Sequence, residues 1–270
     1  DLQAELDSYI GLADVKEEVK NLINMVNVYK LRRAHDLPTT DMSLHMVFTG
    51  NPGTGKTMMA RMMARIYRSL DILSKGQLVE VDRSGLVAGY VGQTALKTQK
   101  VIEKAMGGVL FIDEAYALNG KSENDFGQEA IDTILKAMED HRDDLVVIVA
   151  GYTDLMEKFI HSNPGLESRF NRFLLFEDYS PDEMLAIFRM QCKKGCYQLA
   201  EGTEELVRDY INEENGDPET FGNARGVRNI FEHILVAQNN RLAKLESVTR
   251  EDLMTLTADD VLHARGKIDE

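Results

Sequence analysis

The sequence predicts an α/β fold, a five-stranded parallel sheet flanked by helices, followed by a smaller domain made of helices. Five short apolar runs predict the strands, because strands covered on both faces read as continuous hydrophobic segments. Helical spacing of apolar residues between them favours a parallel sheet. The strands are predicted over 44–48, 78–81, 109–112, 145–149 and 173–176, and the clearest helices over 11–33, 58–70, 94–106 and 128–140.

The pattern changes after Asp178, where strand-like runs give way to helical ones. Ser180 followed by Pro181 is typical of a helix start. Further helices are predicted over 182–193, 203–212 and 226–245. We therefore expect a larger α/β domain over 1–178 and a smaller, all-helical domain over 179–270.

Composition narrows the class of protein. The chain has 270 residues, of which 43% are hydrophobic, and its 45 acidic against 31 basic residues give a net charge of −14. Proteins that bind a phosphate backbone usually carry a basic face, so we expect protein partners and no nucleic acid. No apolar run approaches the ~20 residues that span a bilayer, so no membrane association is expected.

The start of the chain and its cysteines bear on location. Residues 1–5 are acidic and lack an apolar segment, so no signal peptide is predicted, and the missing initiator Met leads us to expect a fragment of a longer chain. Cys192 and Cys196 have no nearby His or Cys to complete a metal site, so both are expected to be reduced thiols. A reducing, cytoplasmic location fits this expectation.

A glycine-rich segment follows the first predicted strand and precedes a helix. It reads Gly50-Asn51-Pro52-Gly53-Thr54-Gly55-Lys56-Thr57, which is the G-x-x-x-x-G-K-T pattern of a phosphate-binding loop. Glycines let backbone N–H groups surround phosphates, and the helix N-terminus adds partial positive charge. We predict that residues 51–57 and Met58 bind ATP, with Lys56 on the β- and γ-phosphates and Thr57 on Mg²⁺.

Two carboxylates end the strand predicted over 109–112. Asp113 is predicted to hold Mg²⁺ through its water ligands, and Glu114 to activate the attacking water as a general base. Water activation next to a phosphate-binding loop favours hydrolysis, since no acceptor pocket of a kinase is recognisable. The sequence therefore predicts an ATPase.

Taken together, these motifs resemble the AAA+ ATPases, and the resemblance covers nearly the whole chain. Residues 7–11 resemble the segment that contacts adenine in that superfamily, which implies nucleotide contacts for Ile10 and Gly11. Residues 222–228 resemble the sensor-2 motif, which implies that Arg225 reaches the nucleotide from the helical domain.

The same resemblance assigns three further catalytic residues. Residues 165–172 resemble the arginine-finger region, which implies that Arg169 and Arg172 act on the ATP of a neighbouring subunit. Cations there stabilise the charge of phosphoryl transfer. Which arginine is the main finger stays open. Thr153 matches the sensor-1 position, where the superfamily often has Asn.

A narrower resemblance is to the CbbX/CfxQ/SpoVK group, which includes red-type Rubisco activases, sporulation stage V protein K and the ATPase domain of EccA secretion proteins. Its members are hexamers, which implies a homo-hexamer. Tyr90-Val91-Gly92 matches the pore-loop position, where an aromatic ring can hold an extended peptide of any sequence. The resemblance rests on segments 89–94, 105–108, 126–130, 142–145, 150–152 and 162–165.

Three functions stay open. The first is ATP-driven remodelling of a protein substrate by the ring. Rubisco activation would be one form of it, although Arg83, Lys97 and Lys100 near the pore segment make no recognisable sugar-bisphosphate site. The second is a nucleotide-gated switch or assembly scaffold, for example in secretion or sporulation. A DNA-acting ATPase is disfavoured by the charge and by the absence of a helix-turn-helix.

Overall fold

The fold is taken from a computed structural model, which describes residues 1–120 and 125–266. The chain divides into two compact units. The first comprises Asp1–Gly50 and Gly55–Phe176, and the second comprises Asn51–Thr54 and the residues from Glu177 onward. Four residues of the phosphate-binding loop therefore belong with the C-terminal part of the chain.

Five parallel strands form the sheet of the first unit, and this confirms the predicted α/β class. They are β1 (Met46–Thr49), β2 (Leu78–Val81), β3 (Val109–Asp113), β4 (Val146–Gly151) and β5 (Phe173–Leu175). Their order across the sheet is β2-β3-β4-β1-β5. Strands β1 and β4 are buried along their whole length, as expected where helices cover both faces.

Helices pack on both faces of this sheet. Successive strand residues alternate between the faces, so Phe48 and Phe111 face one apolar layer while Val47 and Leu110 face the other. Helices α1 to α3 contribute to the first layer and α4 to α8 to the second. The helices are α1 (Leu2–Ser8), α2 (Ala13–Ala34), α3 (Lys56–Ser69), α4 (Arg83–Leu86), α5 (Gln93–Ala105), α6 (Gly127–Asp140), α7 (Thr153–His161) and α8 (Pro164–Arg169), and a 3₁₀ turn covers Ala115–Leu118.

The second unit is built of helices, in agreement with the predicted helical domain, except for two strands that are too short for the sequence pattern to reveal. Its helices are α9 (Pro181–Lys194), α10 (Thr203–Glu214), α11 (Pro218–Phe221), α12 (Ala224–Ala243), α13 (Arg250–Met254) and α14 (Ala258–Ala264). It also contains two short parallel strands, β6 (Gln198–Leu199) and β7 (Thr255–Leu256). The Ser180 side chain accepts from the N–H of Glu183 and caps α9, as its position before Pro181 predicts.

Across residues 1–120 and 125–266, no helix combines the length and apolar character required to cross a bilayer.

Candidate functional site

The glycine-rich loop adopts a conformation that favours glycine. The backbone φ angle is +145° at Gly50, +71° at Gly53 and +95° at Gly55. A Cβ atom at Gly50 would overlap the carbonyl oxygen of Phe176. These positions therefore need glycine for their backbone conformation and, at Gly50, for the close approach of the Phe176 backbone, as in a tight loop whose N–H groups surround phosphates.

Helix α3 begins at Lys56, directly after this loop. The Nζ atom of Lys56 donates to the carbonyl oxygen of Gly50 at 2.8 Å, so the ammonium group is held at the loop. The hydroxyl of Thr57 donates to Oε1 of Glu80 on β2 at 3.5 Å. The sequence analysis did not identify Glu80 as a candidate site residue. The one feature that could have indicated it is its charge within an otherwise apolar strand.

Asp113 and Glu114 stand together at the end of β3. The N–H of Glu114 donates to Oδ1 of Asp113 at 3.0 Å, so the backbone of one residue orients the carboxylate of the other. The φ angle of Glu114 is +50°, an uncommon conformation of the kind that concentrates at functional sites. Burial and then the charges of Glu114, Tyr152 and Asp113 raise the pKa of the Tyr116 hydroxyl.

Several predicted groups of the first unit lie together at the carboxyl ends of the strands. Thr49 at the end of β1 lies opposite Gly151 at the end of β4, and the Gly50 N–H donates to the Gly151 carbonyl at 3.1 Å. Thr153 begins α7 two residues later. We call the set Gly50, Lys56, Thr57, Asp113, Glu114 and Thr153 the carboxyl edge. Ligands of open α/β sheets bind outside this end of the strands.

Three predicted nucleotide contacts lie elsewhere in the sequence. Ile10 and Gly11 occupy the turn between α1 and α2, where Gly11 has a φ angle of +63°. Arg225 is the second residue of α12, and its side chain is exposed. Its backbone nitrogen lies 3.0 Å from the position that a Cβ atom would take at Gly53, so the structure brings the sensor-2 segment to the loop tip.

Arg169 and Arg172 lie at the opposite, amino ends of the strands. We call these two residues and His45 the amino edge. The Nε atom of Arg172 donates to the Ser43 carbonyl at 3.0 Å. The guanidinium of Arg169 lies 3.5 Å from a carboxylate oxygen of Glu139. Both arginines thus contact groups of their own chain, and one chain does not bring them to the carboxyl edge.

The predicted pore segment is exposed. The exposed fraction is 72% for Tyr90 and 85% for Val91. A Cβ atom added at Gly89 or Gly92 would meet no heavy atom of the described residues within 4 Å. The loop therefore has room to move and presents an aromatic ring to solvent.

The base of this loop, in contrast, is hydrogen-bonded to helix α5. The Thr94 hydroxyl accepts from the Ala88 N–H at 3.0 Å, and the Thr98 hydroxyl donates to the Leu86 carbonyl at 3.0 Å. Lys97 donates to the Ser84 carbonyl at 2.6 Å. Tyr90 therefore protrudes from a fixed support.

Arg83 connects this support with the segment that follows Glu114. One guanidinium nitrogen donates to the Ala117 carbonyl at 2.7 Å, and another pairs with Asp125 at 2.8 Å. Arg83 and Glu114 both line a cavity of about 540 Å³ at the base of the loop. The carboxyl edge and the base of the Tyr90 loop are therefore neighbours within the first unit.

The chain matches two known protein families along most of its length. The sequence profile of the ATPase family associated with various cellular activities (AAA) matches residues 46–178, and that of the AAA lid domain matches 180–270. The chloroplastic ribulose bisphosphate carboxylase/oxygenase activase of Cyanidioschyzon merolae is 44% identical over 98% of this chain and 90% of its own length. The chain belongs to the AAA ATPases.

Other relatives of this AAA ATPase carry different names. Stage V sporulation protein K of Bacillus subtilis is 39% identical over 97% of this chain and 82% of its own. The chromosomal protein CbxX of Cupriavidus necator is 43% identical over 98% and 84%, respectively. The resemblance to the CbbX/CfxQ/SpoVK group is therefore confirmed, and the protein is an enzyme that binds nucleotide and hydrolyses ATP.

Solved structures agree on the fold of this AAA ATPase. A variant of Thermotoga maritima RuvB has a TM-score of 0.60 at 18% identity and covers 98% of this chain and 75% of that chain. The AAA domain of FIGL-1 has a TM-score of 0.61 at 17% identity, over 93% and 80%. At such identities the likeness concerns the fold alone.

Proposed function

We propose that this AAA ATPase uses Mg-ATP hydrolysis to remodel a protein substrate, as a homo-hexameric ring in which Tyr90 contacts the substrate in the pore. The observation that carries the proposal is the exposed Tyr90–Val91 pair, which protrudes between glycines from a hydrogen-bonded base. A ring of such side chains suits an extended peptide, because aromatic surface binds without requiring one sequence. The net charge of −14 supports a protein substrate over nucleic acid.

The proposed contact residues bind different parts of the ATP molecule. Ile10 and Gly11 contact adenine, Arg225 contacts the phosphates, and the remaining contacts come from the loop. The loop contacts are Asn51, Pro52, Gly53, Thr54, Gly55, Lys56, Thr57 and Met58. The positive φ angles of the loop glycines and the ammonium of Lys56 fit a loop that binds a polyphosphate.

Metal binding is proposed for two residues of the carboxyl edge. Thr57 would hold Mg²⁺ directly through its hydroxyl, and Asp113 through water. Hydroxyl, carboxylate and water oxygens are the ligands that Mg²⁺ prefers, so the residues present fit the ion. Bound Mg²⁺ would offset negative charge on the β- and γ-phosphates.

Hydrolysis is assigned to the residues around the γ-phosphate. Glu114 accepts a proton from the attacking water, and its exposed side chain leaves it accessible to that water. Thr153 lies on the same edge and is proposed to sense the γ-phosphate. Arg169 and Arg172 of the neighbouring subunit supply positive charge as the phosphoryl group transfers.

The names of the relatives do not point to one substrate for this chain. One relative is named for activation of ribulose bisphosphate carboxylase/oxygenase and another for sporulation, so related chains act in different settings. We therefore propose the remodelling of a protein and do not specify which protein it is.

The test is a substrate trap based on the hydrolysis-deficient variant Glu114→Gln. Loaded with ATP, this variant is exposed to lysate of the native source, alone or with Tyr90→Ala or Leu96→Ala added. Leu96 is the matched control, because it is apolar, 61% exposed and lies on α5 outside the loop. Bound proteins are identified by mass spectrometry, and the mass of the assembly is measured with ATP.

We expect an assembly with six times the mass of one chain. We also expect a captured protein that is lost with Tyr90→Ala and kept with Leu96→Ala. Tyr90→Ala alone should leave the basal ATPase activity unchanged. Equal capture by both variants, or no capture, would favour the alternative of a nucleotide-gated switch or assembly scaffold without threading.

A further inference from the structure

The tip of the phosphate-binding loop, Asn51–Thr54, is held by residues of the second unit. Among the residues that the structure describes there, Asp178, Tyr179 and Asn223 make side-chain hydrogen bonds to the tip or to one another, and we call these three the tip clamp. All contacts described below lie within that unit.

Asn223 is the centre of the tip clamp. Its side chain is fully buried, and its Oδ1 atom accepts from the Tyr179 N–H at 2.9 Å. Its Nδ2 atom donates to Oδ1 of Asp178 at 2.8 Å and to the Pro52 carbonyl at 3.3 Å. The amide therefore uses its acceptor and both of its donors, which fixes its orientation.

Asp178 and Tyr179 extend the contacts to both ends of the tip. Oδ1 of Asp178 also accepts from the Asn51 amide at 3.0 Å. The Tyr179 hydroxyl donates to the Thr54 carbonyl at 3.2 Å. Burial first, and then the charge of Glu183, raise the pKa of Tyr179 to about 12, so the hydroxyl keeps its proton and remains a donor.

These contacts determine the direction of the backbone N–H groups in the loop. The carbonyl oxygens of Pro52 and Thr54 accept from the tip clamp, and that of Gly53 accepts from the Ala224 N–H at 3.0 Å. In a planar trans peptide the carbonyl and the following N–H point in opposite directions. The N–H groups that follow these three carbonyls, those of residues 53–55, therefore point away from the clamp, which is the direction in which they can face an anion.

The backbone of Asn223 itself is unusual. Its φ and ψ angles are +52° and −121°, a conformation that few residues with a side chain adopt and that Asn tolerates better than most. Such strain persists where surrounding contacts impose it and concentrates at functional sites. Here it lets Asn223 face the loop while the next residue starts α12.

We infer that Asn223, acting with Asp178 and Tyr179, is a positioning residue for phosphate binding that holds the loop tip in its anion-binding conformation before nucleotide arrives. Because N–H groups of this loop surround the β-phosphate, ADP and ATP lose the same factor in affinity when the clamp is broken. The inference extends the ATPase activity and is independent of whether the protein threads a substrate.

The experiment measures dissociation constants of fluorescent ADP and ATP analogues, with kcat and the melting temperature of each variant. Asn223→Asp keeps the shape of the side chain but replaces two donors by an acceptor that faces Pro52 and Asp178. We expect both dissociation constants to rise by about ten- to a hundredfold, the effect of lost buried hydrogen bonds. At saturating ATP, kcat stays within about threefold, because the carboxyl edge is unchanged.

A matched control comes from Gln238, which is also a buried amide of the second unit. Its Nε2 atom donates to the Leu253 and Thr255 carbonyls at 3.0 Å. Gln238→Glu imposes the same loss of donors away from the loop, so it should lower the melting temperature and leave nucleotide affinity unchanged. An equal loss of affinity in Gln238→Glu would show that general destabilisation, and no specific positioning, is responsible.

Two further variants make the test decisive. Asn223→Asp combined with Asp178→Asn reverses donor and acceptor, restores the contact between these side chains and should recover part of the lost affinity. Tyr179→Phe removes only the hydroxyl and should raise both dissociation constants by about threefold even if Asn223→Asp fails to fold. Wild-type affinity for ADP in Tyr179→Phe, or in folded Asn223→Asp, would overturn the inference.

Discussion

The two edges of the five-stranded sheet hold their charged groups in different ways. At the carboxyl edge Glu114 is exposed and its backbone is strained, whereas at the amino edge Arg172 and Arg169 are bonded to carbonyl groups of their own subunit. Strand β4 separates the edges by six residues, or roughly 20 Å at about 3.3 Å per residue, which no side chain spans. A single subunit therefore has the proposed base and the proposed arginines too far apart to serve one reaction. This separation supports the proposal that the arginines act on a neighbour.

The largest effect is expected at the carboxyl edge. Glu114→Gln should lower kcat by at least about 100-fold, because a general base contributes about 10²–10⁴-fold, while nucleotide affinity is kept. Steady-state ATPase and equilibrium binding measure the two effects. The control is Glu167→Gln, an exposed carboxylate near the amino edge that pairs with His161 at 3.2 Å. Full turnover by Glu114→Gln would remove this residue as the base.

The arginines are tested by mixing two inactive proteins. Arg169→Ala and Arg172→Ala are each mixed in equal amounts with Glu114→Gln before assembly, and ATPase activity is followed. Action between subunits predicts recovery to about a quarter of wild-type activity, since half of the subunits keep the base and half of their neighbours keep the arginine. The arginine whose variant recovers is the main finger. Two inactive variants whose mixtures also stay inactive would contradict action in trans.

The smallest effect concerns stability at the amino edge. Burial and the charge of Arg169 lower the pKa of His45 from 6.5 to about 4. Above pH 6.5 the ring is neutral in both states. Below it the unfolded chain takes up a proton that the folded protein refuses until about pH 4, so the free energy of unfolding falls through that window.

His45→Asn should abolish this contribution. The asparagine oxygen can still accept the Val147 N–H that His45 Nδ1 accepts at 2.9 Å, but it does not titrate. Between pH 7.5 and 5.5 the wild type should lose about 1.3 kcal/mol more than the variant in urea unfolding. Parallel pH profiles of the two proteins would mean that His45 is not held neutral at this edge.

The regular elements were predicted well because their signals are local. Strand β2 was predicted with its observed bounds, and most long helices differ by one or two residues at each end. Helix α2 begins at Ala13, two residues later than predicted, because Gly11 and Leu12 adopt positive φ angles of +63° and +57°. Residues in that conformation cannot continue a right-handed helix.

Short helices escaped the sequence analysis for a different reason. Helices α4 and α8 have four and six residues, less than the window in which periodicity becomes visible. What starts α8 is a single cap, since the Asn163 side chain accepts from the N–H groups of Gly165 and Leu166. Such caps are too common in sequences to mark a helix alone.

The candidate site was predictable where it is contiguous in sequence. The loop at 50–57 and the pair Asp113–Glu114 each occupy a few consecutive residues next to a strand, so spacing alone identifies them. The tip clamp depends on residues far apart in the chain, with a sequence separation of 127 between Asn51 and Asp178 and of 171 between Pro52 and Asn223. No local pattern encodes such a contact.

The Tyr90 loop combines an exposed tip with a buried base, and this difference affects how the loop can change during evolution. Tyr90 and Val91 are largely exposed, so replacing them alters little of the folding free energy. Thr94 and Thr98 are fully buried and hold the base of the loop, so selection for folding acts on them. On the proposal that Tyr90 contacts the substrate, evolution can exchange the two residues at the tip to suit a new protein while the ATP-hydrolysing framework is inherited unchanged.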